Sequence, residues 1–257
     1  MRRLLLLFLV LLVSSAALAQ QPAAPPKAPQ LTWLRYYTVL PGKEDDFSRQ
    51  FVEASRPLLE RLITDHKVVG WGLAVPLTRT AEPWTHVVYV TVDDWSGVET
   101  LVRAIEESRM NNPAPSYTSL VAPGSVRDVV LQHLVQSEPA PPKAKPRYID
   151  VSTYTIKPGR DRDAVGLFRE WAVPLFTDAA ARGRIGPWGL SSQSLHANDD
   201  WTHMVWIFLS DAAALDDLRE LGDKLPPMKA AGFDVRLRDM SEPSRHREQL
   251  LRLIYMQ

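Results

Sequence analysis

Residues 32–40 and 148–157 are rich in β-branched and aromatic side chains, and each run stops at a Pro-Gly pair, as a strand does on entering a turn. Beyond them the apolar spacing becomes helical. Phe47, Phe51, Ala54, Leu58, Leu59 and Leu62 recur through residues 43–66 with charges between them, and Val165, Phe168, Ala172, Leu175 and Phe176 repeat the pattern. Pro57 and Pro174 fall inside these helices, where each removes a backbone donor and bends the helix. The pattern then predicts strands at 68–77 and 84–92, and at 185–194 and 201–209. Second helices follow at 96–109 and 211–222, and last strands at 127–136 and 246–256 after Pro-containing loops. The order is β-α-β-β-α-β, twice.

The two rounds are copies in one register. An offset of 117 residues carries Tyr37-Thr38-Val39-Leu40-Pro41-Gly42-Lys43 onto Tyr154-Thr155-Ile156-Lys157-Pro158-Gly159-Arg160, Trp71-Gly72-Leu73 onto Trp188-Gly189-Leu190, and Trp84-Thr85-His86 onto Trp201-Thr202-His203. Between the copies, residues 137–146 hold four prolines and form a stiff linker. The reading is therefore a ferredoxin-like unit at 32–136 and a second at 147–257. In the third strand of each unit both faces are apolar: Trp84, His86, Val88 and Val90 against Val87 and Tyr89, and Trp201, His203, Val205 and Ile207 against Met204, Trp206 and Phe208. A strand apolar on both faces is covered on both. The expected fold class is α+β, two tandem units packed sheet to sheet as an intramolecular dimeric α+β barrel.

The N-terminus changes the picture of where such a protein works. Arg2 and Arg3, an apolar run from Leu4 to Val13 and small residues up to Ala19 read as a signal peptide over 1–19, with a Pro-rich tether over 20–31. The expected location is periplasmic or secreted, with no membrane association once the signal is removed. The 257 residues carry 30 basic and 30 acidic side chains, a balance that argues against nucleic-acid binding. There is no Cys, which excludes disulfides, thiol catalysis, iron–sulfur clusters and covalently attached haem.

Leu34-Arg35-Tyr36-Tyr37-Thr38-Val39-Leu40-Pro41-Gly42-Lys43 and residues 147–160 resemble the opening strand and turn of NIPSNAP-like and related dimeric α+β barrel domains. The resemblance spans both copies and implies the fold. The wider superfamily includes cofactor-free monooxygenases, haem-degrading enzymes and small isomerases, and the tandem arrangement resembles haem-binding chlorite-dismutase-like proteins. It supplies no catalytic motif that maps onto this chain.

Candidate chemistry centres on the shared Trp-Thr-His. Alternation puts Trp84 with His86, Trp201 with His203, Arg35 with Trp33 and Tyr37, and Asp150 with Ser152 and Tyr154. If those faces point inward, an aromatic chamber results, with Trp71, Trp84, Trp188, Trp201, Asp150 and Ser152 binding a ligand and His86, His203, Arg35, Tyr37 and Tyr154 as candidate catalytic groups. The expected partner is a small aromatic or apolar molecule; the alternatives are a cofactor-independent oxygenase or isomerase with a strand His as base, a haem binder, and a structural module. No metal is expected from His196 and its neighbours, and His66, His133 and His246 read as surface or strand-edge residues. The chain is expected as a monomer with an internal pseudo-dimer or as a homo-oligomer.

Overall fold

The computed structural model describes residues 29–77, 83–111, 116–138, 145–195, 200–224 and 227–257. The segments expected as signal peptide, most of those expected as tether and linker, and His196 to Asp199 lie outside the described residues.

The described residues form eight strands: β1 Leu31–Tyr37, β2 Gly70–Pro76, β3 His86–Val92, β4 Arg127–Gln136, β5 Tyr148–Tyr154, β6 Ile185–Gln193, β7 His203–Leu209 and β8 Arg247–Met256. Five helices accompany them among the described residues: α1 Glu44–Thr64, α2 Trp95–Asn111, α3 Asp161–Ala181, α4 Ala213–Asp223 and α5 Pro227–Met240. The last of these replaces an expected loop. β1 starts at Leu31, inside the segment read as tether. Each Pro-Gly turn has its glycine at positive φ, 77° at Gly42 and 82° at Gly159, a conformation a Cβ disfavours. Acidic residues Glu44, Asp45 and Asp46 occupy the first turn of α1, where the helix dipole favours them. Pro57 and Pro174 lie within α1 and α3 as expected.

All strand pairings are antiparallel and close into one barrel in the order β1-β3-β2-β8-β5-β7-β6-β4. The strands of each half keep the same internal order, β4-β1-β3-β2 and β8-β5-β7-β6. The expectation of two sheets stacked face to face needs correcting in one respect. The halves also join edge to edge, β2 to β8 and β4 to β6, so each edge strand finds a backbone partner rather than being left unpaired.

A closed barrel with helices outside has an apolar layer on each side of its wall. The inner layer holds Leu34, Tyr36, Val87, Leu131, Ile149, Val151, Met204 and Leu251. Outside, α1 and α2 bury Tyr37, Phe47, Phe51, Trp71, Leu73 and Leu101 against the first half. Phe168, Phe176, Trp188 and Ile207 do the same in the second. This is why strand faces looked apolar on both sides in the sequence.

The repeated Trp-Gly-Leu spans both layers. Trp71 turns outward and is fully buried against the Tyr255 ring at 4.5 Å, while the glycine beside it clears space inside. A Cβ on Gly72 would lie 2.5 Å from the Tyr89 hydroxyl and 2.6 Å from the Tyr255 carbonyl oxygen; one on Gly189 would lie 2.6 Å from the Trp206 ring. Only glycine lets those rings cross the inner wall so closely.

Candidate functional site

Each residue of the repeated Trp-Thr-His has its own task. Trp84 and Trp201 precede β3 and β7 and turn into the barrel, where Trp84 meets Tyr36 edge-on at 5.1 Å. Thr85 fastens the end of β1: its hydroxyl accepts from the Val39 amide at 2.9 Å and donates to the Tyr37 carbonyl at 3.2 Å. Thr202 does the same with Ile156 and Tyr154. With the hydroxyl proton committed, the Nδ1–H of His86 donates to Thr85 and that of His203 to Thr202, each at 2.9 Å. Both rings turn outward toward the helices. Trp84 and His86 thus point opposite ways, because the alternation begins only at His86.

The expected interior is therefore corrected in phase. Arg35, Tyr37, Trp71 and His86 in the first half, and Asp150, Ser152, Tyr154, Trp188 and His203 in the second, face the helices; among the candidates only Trp84 and Trp201 face inward. The inward set is the alternate one: Thr32, Leu34, Tyr36, Val87, Tyr89, Ile149, Val151, Thr153, Met204, Trp206 and Phe208. It surrounds a cavity of about 100 Å³. His133 belongs there too, buried rather than at a strand edge, bonded to Thr32 at 2.8 Å and Gln136 at 2.5 Å. Burial pushes its pKa down, and Gln136 works in the other direction.

Arg35 and Tyr37 do meet at a cavity, on the other side of the wall. Between β1, β3, α1 and α2 lies a space of about 100 Å³ lined by Trp33, Arg35, Tyr37, Phe51, Ala54, Leu58, Val88, Leu101, Ile105 and Tyr117. An outer recess of about 240 Å³ shares Arg35, Tyr37, Arg109 and Tyr117 with it. Together they reach the lower end of small-ligand pocket sizes, roughly 300 Å³ and upward. Most of the wall is apolar and the polar groups cluster at one end. Arg35 is held by a bidentate pair with Asp128, both contacts at 2.7 Å, and lies 4.8 Å over the Trp33 ring. The Trp33 indole N–H donates to the same carboxylate at 2.9 Å. Burial holds the Tyr37 phenol above its ordinary range, with Arg35 opposing. Burial does the same to Tyr117, and Arg109 and Arg35 oppose it. Both are neutral hydroxyls at pH 7. The sequence reading missed Tyr117, Arg109 and Asp128, which come from segments outside the matched motifs.

The candidate bases fare differently. His86 is 1% exposed, its Nε2 accepts from Ser48 at 3.0 Å, and the Phe47 ring lies 4.8 Å away. Burial pushes its pKa down to about 4, against the weaker pull of Glu44. It is sealed into the sheet–helix contact. His203 is 2% exposed, and among the described residues its Nε2 has no hydrogen-bond partner; the Asp161 carboxylate approaches to 3.7 Å. Burial lowers this imidazole too, with Asp161 opposing. Asp150 is pushed up to about 6, first by burial and then by Glu248. Tyr154 stacks on His246 at 4.5 Å.

Haem does not fit these side chains. Both nitrogens of His86 and of His133 are already bonded, the barrel cavity of about 100 Å³ is too small for a macrocycle, and His203 is buried with a carboxylate 3.7 Å from its Nε2. Among the described residues no group of three His, Asp or Glu side chains could hold a metal ion, and no helix is long and apolar enough to cross a membrane.

No protein-family model matches the chain, and no curated protein does. Solved structures do, at low identity. A provisionally assigned monooxygenase from Fusobacterium nucleatum subsp. nucleatum has a TM-score of 0.62 at 11% identity, covering 91% of this chain and 95% of that one. A second such protein, from Lactobacillus acidophilus, gives 0.61 at 9%, covering 89% and 95%. A haem-binding protein from Thermus thermophilus gives 0.52 at 12%, covering 89% and 92%. At these identities the likeness is one of fold, that of the dimeric α+β barrel proteins; the NIPSNAP-like likeness of the opening strands rests on their sequence alone.

Proposed function

We propose that the protein binds a small, planar, largely apolar molecule carrying one oxygen function in the cleft between the first-half sheet and α1 and α2. The observation that carries this reading is the convergence of Arg35, Tyr37, Arg109 and Tyr117 on a cavity whose remaining wall is apolar apart from Ser55 and Ser108. The apolar wall takes the ring system. The Arg35 guanidinium, its charge matched by Asp128, and the two neutral phenols take the oxygen by hydrogen bonds, and the charge of Arg109 beside them favours its ionised form. His86 plays no part in this site beyond fixing the sheet to α1.

1-Naphthol is a suitable probe. Calorimetric titration is expected to show one saturable site. Ala54→Phe, which fills the cleft, abolishes it, and Arg35→Met weakens it about tenfold, the worth of one hydrogen bond to a charged group. Absence of saturable binding, or unchanged binding in Ala54→Phe, overturns the reading.

A second reading, oxidation of the bound aromatic by molecular oxygen without a cofactor, is favoured by Arg109 in the same lining, since an ionised phenol or enol is the form that gives up electrons most readily. An anthrone oxidase-like protein shares the fold, with a TM-score of 0.55 at 9% identity. Oxygen uptake in the presence of anthrone, lost in Arg35→Met, distinguishes turnover from binding. We further infer export from the N-terminal segment: a secreted product beginning at Gln20, read by mass spectrometry, is the expected outcome.

A further inference from the structure

The 117-residue offset that relates the halves places Val165 where the first half has Ser48, and Gly166 where it has Arg49. Ser48 is the residue that satisfies His86 Nε2. Its replacement by valine leaves His203 Nε2 a buried lone pair with no donor, a group that native interiors rarely leave unmatched. Loss of the Arg49 side chain opens the surface beside it, since nothing lies within 4 Å of where a Gly166 Cβ would be. The result is a groove of about 420 Å³ at the start of α3, to which His203, Asp161, Arg162, Arg169, Leu134 and Val165 contribute.

The chemistry of this groove is divided. At one side two acceptors, His203 Nε2 and the Asp161 carboxylate, face each other across 3.7 Å. A single nitrogen at about 2.9 Å from each bridges such a gap, provided it carries at least two hydrogens. Asp161 is 67% exposed, so the approach lies on its side. Arg162 and Arg169 contribute two positive charges, and among the described residues neither has an ion-pair partner. A simple amine is repelled by them, and a simple carboxylate leaves the two acceptors unmatched. Leu134 and Val165 add apolar wall.

We propose that the second half carries a binding site for a small zwitterion, an α-amino acid with an apolar side chain, whose ammonium bridges His203 and Asp161 and whose carboxylate meets Arg162 or Arg169. The site is separate from the first-half cleft and stands on different residues.

The test is calorimetric titration of the whole chain with L-leucine, with 4-methylpentanoate, which lacks the amine, and with isoamylamine, which lacks the carboxylate. Leucine is expected to bind at least tenfold tighter than either. Val165→Ser, which restores the first-half arrangement and gives Nε2 a donor, is expected to lose binding at least tenfold while its melting temperature holds or rises. Ala54→Phe is expected to bind leucine normally. No leucine binding, equal binding of 4-methylpentanoate, unchanged binding in Val165→Ser with its fold intact, or loss of binding in Ala54→Phe would each overturn the proposal.

Discussion

At matching places in the two halves, Arg35 faces Asp128 across β1 and β4, while Ser152 faces Glu248 across β5 and β8. The first pair is a bidentate ion pair; the second sets a serine against a carboxylate, with no cation in it. Asp150, where the first half has Trp33, adds a second carboxyl, and its pKa rises to about 6. Similar exchanges recur. Ser48 satisfies His86, but Val165 leaves His203 unmatched. Inside the barrel the Trp206 indole donates to Ser191 at 3.0 Å, whereas Tyr89, its counterpart, has Ala74 at that position and a hydroxyl with no partner among the described residues. The halves agree where residues shape the wall and differ where polar groups are matched. Shape has to be conserved in both for a barrel to close, whereas a polar partner can change one at a time.

The sharpest test of the shared frame is its glycines. Gly72→Ala and Gly189→Ala each force a Cβ against a ring and a carbonyl oxygen that cannot both retreat. Each is expected to cost about 3 kcal/mol, near 10 °C in melting temperature by thermal unfolding. Tolerance of either substitution would break the equivalence.

Acid stability probes the histidines at comparable size. His86 is neutral in the fold down to about pH 4 but takes a proton in the unfolded chain near pH 6.5. The unfolded state therefore binds more protons, and stability falls as pH drops through that window, by about 3 kcal/mol for this ring. Burial lowers His133 and His203 as well, so they add to the same limb. Denaturant unfolding between pH 7 and 4 should show this limb, and His86→Gln should flatten it. An unchanged limb in that variant would remove His86 from the account.

The smallest effect concerns the cation that the second half lacks. Asp150 is raised, so the folded state holds its proton more tightly than the unfolded one, and stability declines as pH rises from about 4 to about 6. Ser152→Arg returns the guanidinium. The Asp150 carboxyl should then titrate nearer its ordinary range by carbon-13 NMR, with a gain on the order of 1 kcal/mol at pH 7. If Asp150 stays near 6, the missing arginine is not what separates the two halves.

Much of this architecture was legible beforehand, and the misses have physical causes. Element order, both interior prolines, the Pro-Gly turns and the single register of the repeats follow from short-range spacing. α5 was missed because Pro226, Pro227 and Gly232 read as loop chemistry, whereas Met240, Phe233 and Leu237 pack against Leu167 and Trp171. The cleft residues Tyr117 and Arg109, and Asp128 behind Arg35, carry no motif and converge only when β4 pairs with β1 beside α1 and α2.

Local patterning by itself determined that these strands alternate, that both faces are apolar, and that the chain repeats. It could not determine which alternate set looks into the barrel, because a wall with a core on each side offers two faces of nearly equal hydrophobicity. Closure decided that. Once β2 meets β8 and β4 meets β6, the narrow inside accepts Tyr89 and Trp206 only across Gly72 and Gly189. Trp71, Trp188 and the two strand histidines are turned out to the helices, and the candidate chemistry moves with them.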